Sequence, residues 1–191
     1  IGESSSWLDI TGTSVKDGAL GYDFSTMLNV PLGDTVAMRL VGFSAHDAGY
    51  IDNVLRPSPG GTFDNADVAD NDVNGTDVFG GRAAIRWEPT DTWGIDFQLT
   101  FQDTSQDGGF GDADISENFF EGYDLDDWEQ VRYNPETWSD QWYQLALTVD
   151  KDLGWGVWTA TGSYFERETS TRTDATTYHF GFQQATDYYN T

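Results

Sequence analysis

From Thr92 to Gln102 the chain alternates without a break. Trp93, Ile95, Phe97, Leu99 and Phe101 take the odd positions, and Gly94, Asp96, Gln98, Thr100 and Gln102 the even ones. Period two is the signature of a strand with one greasy face and one wet face. Leu20 to Leu32 repeats the pattern. Leu20, Tyr22, Phe24, Leu28, Val30 and Leu32 share one side, broken only by Thr26, and Gly21, Asp23, Ser25, Met27 and Asn29 share the other. Thr35 to Phe43 sets Val36, Met38 and Leu40 opposite Arg39, and Phe79 to Trp87 sets Ala83, Ile85 and Trp87 opposite Arg82 and Arg86. Gln141 to Asp150 sets Tyr143, Leu145, Leu147 and Val149 opposite Gln144, Thr148 and Asp150. Trp155 to Arg167 carries apolar residues on both sides and stays ambiguous. Ser6 to Thr13 and Thr176 to Gln183 complete about eight predicted strands.

The connections alternate in length. Pro31-Leu32-Gly33-Asp34, Glu88-Pro89-Thr90-Asp91 and Lys151-Asp152-Leu153-Gly154 are tight and hold turn-forming Pro, Gly or Asp. Between them lie long polar stretches, Ala45 to Asp77 and Asp103 to Thr137. Loops of this length are uncommon in compact soluble domains. Up-and-down barrels of outer membranes have this asymmetry, with short periplasmic turns and long outside loops. Aromatic placement agrees with it. Trp87 and Trp93 flank one tight turn, and Trp155 and Trp158 follow another. Phe43, Phe79, Phe101, Trp138, Trp142, Tyr164 and Tyr178 sit toward the other strand ends. Barrels wear aromatic girdles at both membrane interfaces, where a ring is half wet.

Composition refines this picture. Mean hydropathy is negative, and no run reaches the roughly 18 apolar residues of a transmembrane helix. Neither observation bears on a barrel, because every second strand residue is polar. The chain has 191 residues, with Trp 8, Tyr 9, Phe 12 and Gly 21, a mixture that suits strands and turns. There are no cysteines, hence no disulfide and no thiolate metal site. The 33 acidic residues against 9 basic ones give a net charge of -24, which repels nucleic acid. It permits divalent cations or cationic ligands, and a solvated acidic surface explains it equally well.

Catalysis finds little support. His46 and His179 lie far apart without a family signature around them, and no two of the many carboxylates are singled out as a catalytic pair. We therefore expect no enzyme. Asp64, Asp67, Asp70, Asp72 and Asp77 crowd the first long loop, and Asp107, Asp112, Asp114, Glu117, Asp124, Asp126 and Asp127 the second. Calcium takes six to eight oxygens, and Asp112, Asp114 and Glu117 are the candidate ligands. The run from Asp112 lacks the later Gly and Glu of a calcium loop, and solvated loops are the plainer reading. Arg39, Arg82 and Arg86 must face the interior of any barrel, since a charge facing lipid costs about 2–4 kcal/mol at mid-bilayer. There they would pair with neighbouring acids such as Asp96 or guide an anionic ligand.

Several short stretches also carry a resemblance. Met27-Leu28-Asn29-Val30-Pro31-Leu32-Gly33-Asp34, then Val36 to Phe43, then Gly49-Tyr50-Ile51-Asp52-Asn53-Val54, and finally Gly80 to Thr90 resemble, in this order, the early barrel of TonB-dependent receptors. The likeness is close from about residue 18 to 105 and thin beyond. It implies a Gram-negative outer-membrane protein that imports a scarce solute (an iron chelate, a vitamin or a saccharide), drawing energy from TonB through a plug inside a 22-stranded barrel. Lipid, lipopolysaccharide, TonB and the solute would be its partners. The chain has no plug or TonB-box segment and no room for 22 strands. The expectation is an all-β, antiparallel, up-and-down transmembrane β-barrel segment, with residues 1–191 forming part of the barrel domain after the plug. Two other readings stay open: a self-contained eight-stranded barrel serving as anchor or small pore, and a secreted calcium-dependent carbohydrate-binding β-sandwich.

Overall fold

A computed structural model describes residues 2–58, 61–108, 125–176 and 188–190. Among these residues the chain is all-β and has no α-helix. The strands are β1 (Ser5–Ser14), β2 (Leu20–Pro31), β3 (Val36–Asp47), β4 (Asp52–Asn53), β5 (Thr76–Thr90), β6 (Trp93–Asp107), β7 (Glu129–Gln130), β8 (Thr137–Asp152), β9 (Val157–Thr173) and β10 (Tyr188–Asn190). Eight of them form one antiparallel sheet in the order β1-β2-β3-β5-β6-β8-β9-β10. Neighbours in the sheet are neighbours in the sequence once the two-residue strands are set aside, so the topology is up-and-down throughout. β1 and β10 are not paired with each other, and the described sheet is open.

Register decides which side chains share a face. Directly opposed residues point the same way, and the pairs run in chains across the sheet. One row reads Val30, Met38, Ile85, Phe97, Leu147 and Gly162; the next reads Leu28, Leu40, Ala83, Leu99, Leu145 and Tyr164. Most apolar positions of the seven long strands thus fall on one face. Nothing among the described residues covers that face. Phe97 is 44% exposed, Leu147 47% and Ile10 70%. The opposite face carries rows such as Asn29, Arg39, Ala84, Gln98, Ala146 and Ser163. β9, which the sequence left ambiguous, is settled by its pairing with β8. Trp158, Ala160, Gly162 and Tyr164 join the apolar face, and Val157 and Phe165 the polar one.

Most strands outrun their expected ends. β3 continues to Asp47, β6 to Asp107, and β8 starts at Thr137. Beyond Phe101 the alternation fades into Asp, Thr, Ser and Gln, so periodicity could not see what the backbone ladder continues. β5, β6, β8 and β9 reach 15, 15, 16 and 17 residues, where strands of soluble domains average about five or six. The expected strand at Thr176 to Gln183 lies outside the described residues from 177 onward. The three tight turns cluster at one end of the sheet, after β2, β5 and β8, and the long connections at the other.

The described parts of those long connections are folded against each other. Residues 48–58 and 61–75 pack on residues 125–136 beyond the sheet, with β4 running parallel to β7. Leu125, Val131 and Tyr133 form a small core, with Val54 and Phe63 against it. Asn53 ties the two segments together. Its amide donates to Val68 O (2.8 Å) and Arg132 O (3.1 Å), and its Oδ1 accepts from Arg132 N (2.7 Å). Asn65 donates to Val54 O (2.9 Å) and accepts from Arg56 N (2.7 Å). Asn74, the first residue of a glycosylation-like triplet, accepts from Tyr50 N (2.7 Å) and Ile51 N (2.9 Å). Gly49 has a structural reason to be glycine, because a Cβ there would collide with the backbone of Asp72.

Asn53→Ala should loosen this assembly while leaving the sheet intact. It strands two carbonyls and one amide, and an unsatisfied buried group costs about 1–3 kcal/mol. Hydrogen exchange should rise in residues 50–56 and 128–133 and stay unchanged along β5 and β6; uniform exchange throughout would show that the loops and sheet fold as one unit.

Candidate functional site

Three surfaces carry chemistry: the apolar face, the polar face, and the folded loops. On the apolar face, aromatic side chains mark both ends of the greasy band. Trp87, Trp93 and Trp158 lie at the tight-turn end, with the Lys151 ammonium 4.8 Å from the Trp93 ring. Tyr22, Phe79, Phe101, Tyr143 and Tyr164 lie at the other. The expected far girdle needs correction. Phe43, Trp138 and Trp142 belong to the opposite parity and lie on the polar face, where Trp142 packs on Phe165 with centroids 5.9 Å apart. Being near a strand end is not enough, because odd and even residues of one strand look to opposite sides. Tyr178 lies outside the described residues. Trp93 and Phe101 are eight residues apart on β6, about 27 Å along a strand, or about 20 Å in height at barrel-like tilts.

On the polar face stand all four residues singled out there. Arg39, Arg82, Arg86 and Asp96 share it, as the alternation requires. They do not form one cluster. Arg86 sits opposite Asp96 and pairs with it; its Nε donates to Glu88 (3.1 Å) and its Nη1 lies 3.7 Å from Asp150. A Cβ at position 94 would strike this guanidinium, so Gly94 makes room for the pair. Arg39 and Arg82 form no ion pair with any described residue. A second ion pair had no sequence signal: Arg167 grips Asp140 with two bonds of 2.7 and 2.8 Å. Asp140 lies just outside the run in which alternation is visible.

The folded loops hold the most enclosed polar chemistry. Arg132 and Glu136 form a buried ion pair (3.0 Å), and Glu136 also accepts from the backbone N–H of Asp174 (2.9 Å). Burial works against the charge on Asp174. Donors from Thr176, Asn134 and the backbone of Tyr133 outweigh it and hold the carboxyl below the usual carboxylate range. Beside this network a cavity of about 430 Å³ opens between the loops and the ends of β3, β5, β6 and β8. Asp67, Asp70, Asp72, Asp77, Asp107 and Glu136 line it, with Arg132 and His46 as its charged or chargeable counterparts. His46 Nδ1 lies 2.8 Å from Asp77. Gln130 lines the cavity too; it is 1% exposed, and its side-chain oxygen, shielded from the open space, has no hydrogen-bond partner among the described residues. Sequence reasoning marked the acids of the first loop as crowded but missed Gln130, since nothing in a sequence shows an unmet acceptor.

The calcium candidates Asp112, Asp114 and Glu117 and the second histidine, His179, lie outside the described residues. Among the described residues, no group of three or more acids or histidines is placed to hold a metal ion. Compared with protein-family models, curated proteins and solved structures, the chain matches none.

The lowered value of Asp174 fixes a sign. Its stabilising contribution is fully present above the ordinary aspartate value of about 3.9 and is lost as pH falls through the lower folded value. The loops should therefore become protease-sensitive below about pH 4, and Asp174→Asn should be looser at pH 7 with a weaker response to acid. Acid sensitivity identical in the wild type and the variant would place the titration elsewhere.

Proposed function

We propose that this chain is part of the wall and outer loops of a TonB-dependent receptor, a transporter of scarce solutes in the outer membrane of a Gram-negative bacterium, and not an enzyme. The observation that carries this reading is the uncovered apolar face. A sheet hydrophobic on one side must bury that side against a second layer. Here large side chains from seven long strands lie open together, and monomeric soluble proteins rarely expose apolar patches beyond a few hundred Å². Lipid is a covering that needs no second layer. Aromatic side chains at both margins of the band, tight turns at one end and folded loops at the other support the same orientation. On this reading the polar face lines a lumen, where Arg39 and Arg82 would meet plug or ligand anions. The loops would capture solute before plug movement admits it.

The open sheet supports a larger barrel over a self-contained one. Closure of this chain alone would require β1 to meet the far edge, and the two remain unpaired among the described residues. Raw edges are a liability that further strands of the same barrel would remove.

Two substitutions one residue apart test the assignment. Leu99→Arg places a charge on the apolar face and should cost about 2–4 kcal/mol of membrane-folded stability; Gln98→Arg, on the lumen side, should be nearly neutral. Urea unfolding from lipid vesicles, using the chain with its native flanking sequence, reads the difference. Equal effects from both would contradict the membrane orientation. Loss of solute uptake in cells lacking TonB would establish the transport step, and unchanged uptake would remove it.

A further inference from the structure

We propose that the groove between Tyr50 and Trp128 on the outer loops binds a neutral saccharide, stacking a sugar ring against its aromatic wall. The proposal deepens the receptor reading by narrowing the solute to one chemical class, and rests on it for the claim that the bound sugar is the imported one. Three segments distant in sequence build the groove: Val15, Lys16 and Asp17 from the β1–β2 turn, Tyr50 from the first long connection and Trp128 from the second. Its volume is about 330 Å³, at the small end of the roughly 300 to 1,000 Å³ of small-molecule sites. Backbone contacts fix the three pieces together. Ala19 N–H donates to Gly49 O (3.0 Å) and Asp52 N–H to Trp128 O (2.9 Å), while Asn74 accepts from Tyr50 N–H (2.7 Å). A Cβ at position 18 would meet Gly49 O at 2.7 Å and Tyr50 Cβ at 3.0 Å, so Gly18 lets the turn approach.

The indole is held where a bulky residue is uncommon. Trp128 is the third residue of a turn closed by Glu129 N–H on Asp126 O (3.1 Å), and its φ is 69°. Positive φ at that place ordinarily takes glycine or asparagine, and such strain persists only where the surroundings impose it. The ring gains little burial in return. Trp128 is 59% exposed, and Tyr50, in edge-to-face contact with ring centroids 5.3 Å apart, is 37% exposed. Neither the indole N–H nor the Tyr50 hydroxyl has a partner among the described residues. Apolar ring surfaces with free polar tips match a sugar, which presents C–H groups on its faces and hydroxyls around its edge. Charge decides among ring-shaped ligands. The net charge of -24 disfavours anionic chelates and phosphorylated sugars. Within the groove Lys16 and Asp17 pair at 3.4 Å. Their charges cancel, which leaves a donor and an acceptor for hydroxyls and no net charge to hold a cation.

The test is isothermal titration of maltose, cellobiose and lactose into the chain with its native flanking sequence, in a polyoxyethylene detergent that carries neither sugar nor charge. At least one disaccharide should bind saturably and one-to-one, with an affinity that added salt leaves unchanged. Citrate and glucose 6-phosphate should not bind. Trp128→Gly suits the left-handed backbone and removes the ring, so it should weaken binding at least tenfold in a protein that stays folded. Tyr50→Leu should weaken binding as well. Trp155→Leu removes an exposed indole at the opposite end of the sheet and should leave the affinity unchanged. No saturable binding of any of the three sugars, tighter binding of citrate or glucose 6-phosphate, full affinity in the Trp128 variant, or equal loss in the Trp155 variant would each overturn the proposal. Tighter binding of lipid-free O-polysaccharide than of any free disaccharide would assign the groove to the cell's own surface glycan and overturn its role in uptake. The receptor reading fails by a different sign: a protein monodisperse without detergent that still binds the disaccharide keeps the groove and loses the barrel. A detergent-dependent protein that binds no sugar keeps the barrel and loses the groove.

Discussion

Backbone hydrogen bonding between adjacent antiparallel strands fixes everything else in this molecule. Each ladder bond aligns a residue with one partner, and the partners of seven long strands chain together without changing parity. A slip of one residue in any strand would move that strand's apolar side chains to the polar face. The single irregularity among the described pairings, between Trp87 and Thr90, falls at the tight-turn end and leaves the rows above it intact. The result is a sheet whose inner strands satisfy one another's peptide groups while its greasy side chains remain uncovered by the described residues. Water is a poor solvent for such an apolar surface, and hydrocarbon a good one.

The polar features follow from that parity. Arg86 and Asp96 meet because they are directly opposed, and Gly94 leaves space for the guanidinium. Arg167 reaches Asp140 from the neighbouring strand. Both pairs occupy the face where charge is tolerated on either reading of the surroundings. Above the sheet the physics changes. The loops build their own small core around Val131 and Tyr133 and satisfy buried polar groups with Asn53, Asn65 and Asp174. That assembly frames the acidic cavity, and the Gln130 side-chain oxygen is the one buried side-chain polar atom it leaves unmet among the described residues.

How much of this could be read from residues alone varies with the kind of information. Thr92 to Gln102 announces its strand and both faces, because alternation is local. The polar placement of Arg39, Arg82, Arg86 and Asp96 follows from the same rule. Phe43, Trp138 and Trp142 lie near strand ends, which is weaker information than parity, and the register puts them on the polar face. The ambiguous faces of β9 became definite only through β8, which is non-local information. The loops hid most. Asn53 and Arg132 are 79 positions apart, and a pairing at that distance leaves no periodic trace. The acids of the first loop were visible as a crowd, but the cavity they line exists only after both loops fold.

The central claim is that the apolar face meets lipid and the polar face meets water. Nitroxide labels placed singly at positions 94 to 101 on β6, in the membrane-reconstituted protein, measure this directly through collisions with oxygen and with a water-soluble nickel complex. The account predicts period-two alternation, with labels at 95, 97, 99 and 101 accessible to oxygen and shielded from nickel, and those at 94, 96, 98 and 100 the reverse. Nickel access to both sets, or shielding of 97 and 99 from both reagents, would place that face in water or beneath a protein layer and contradict it.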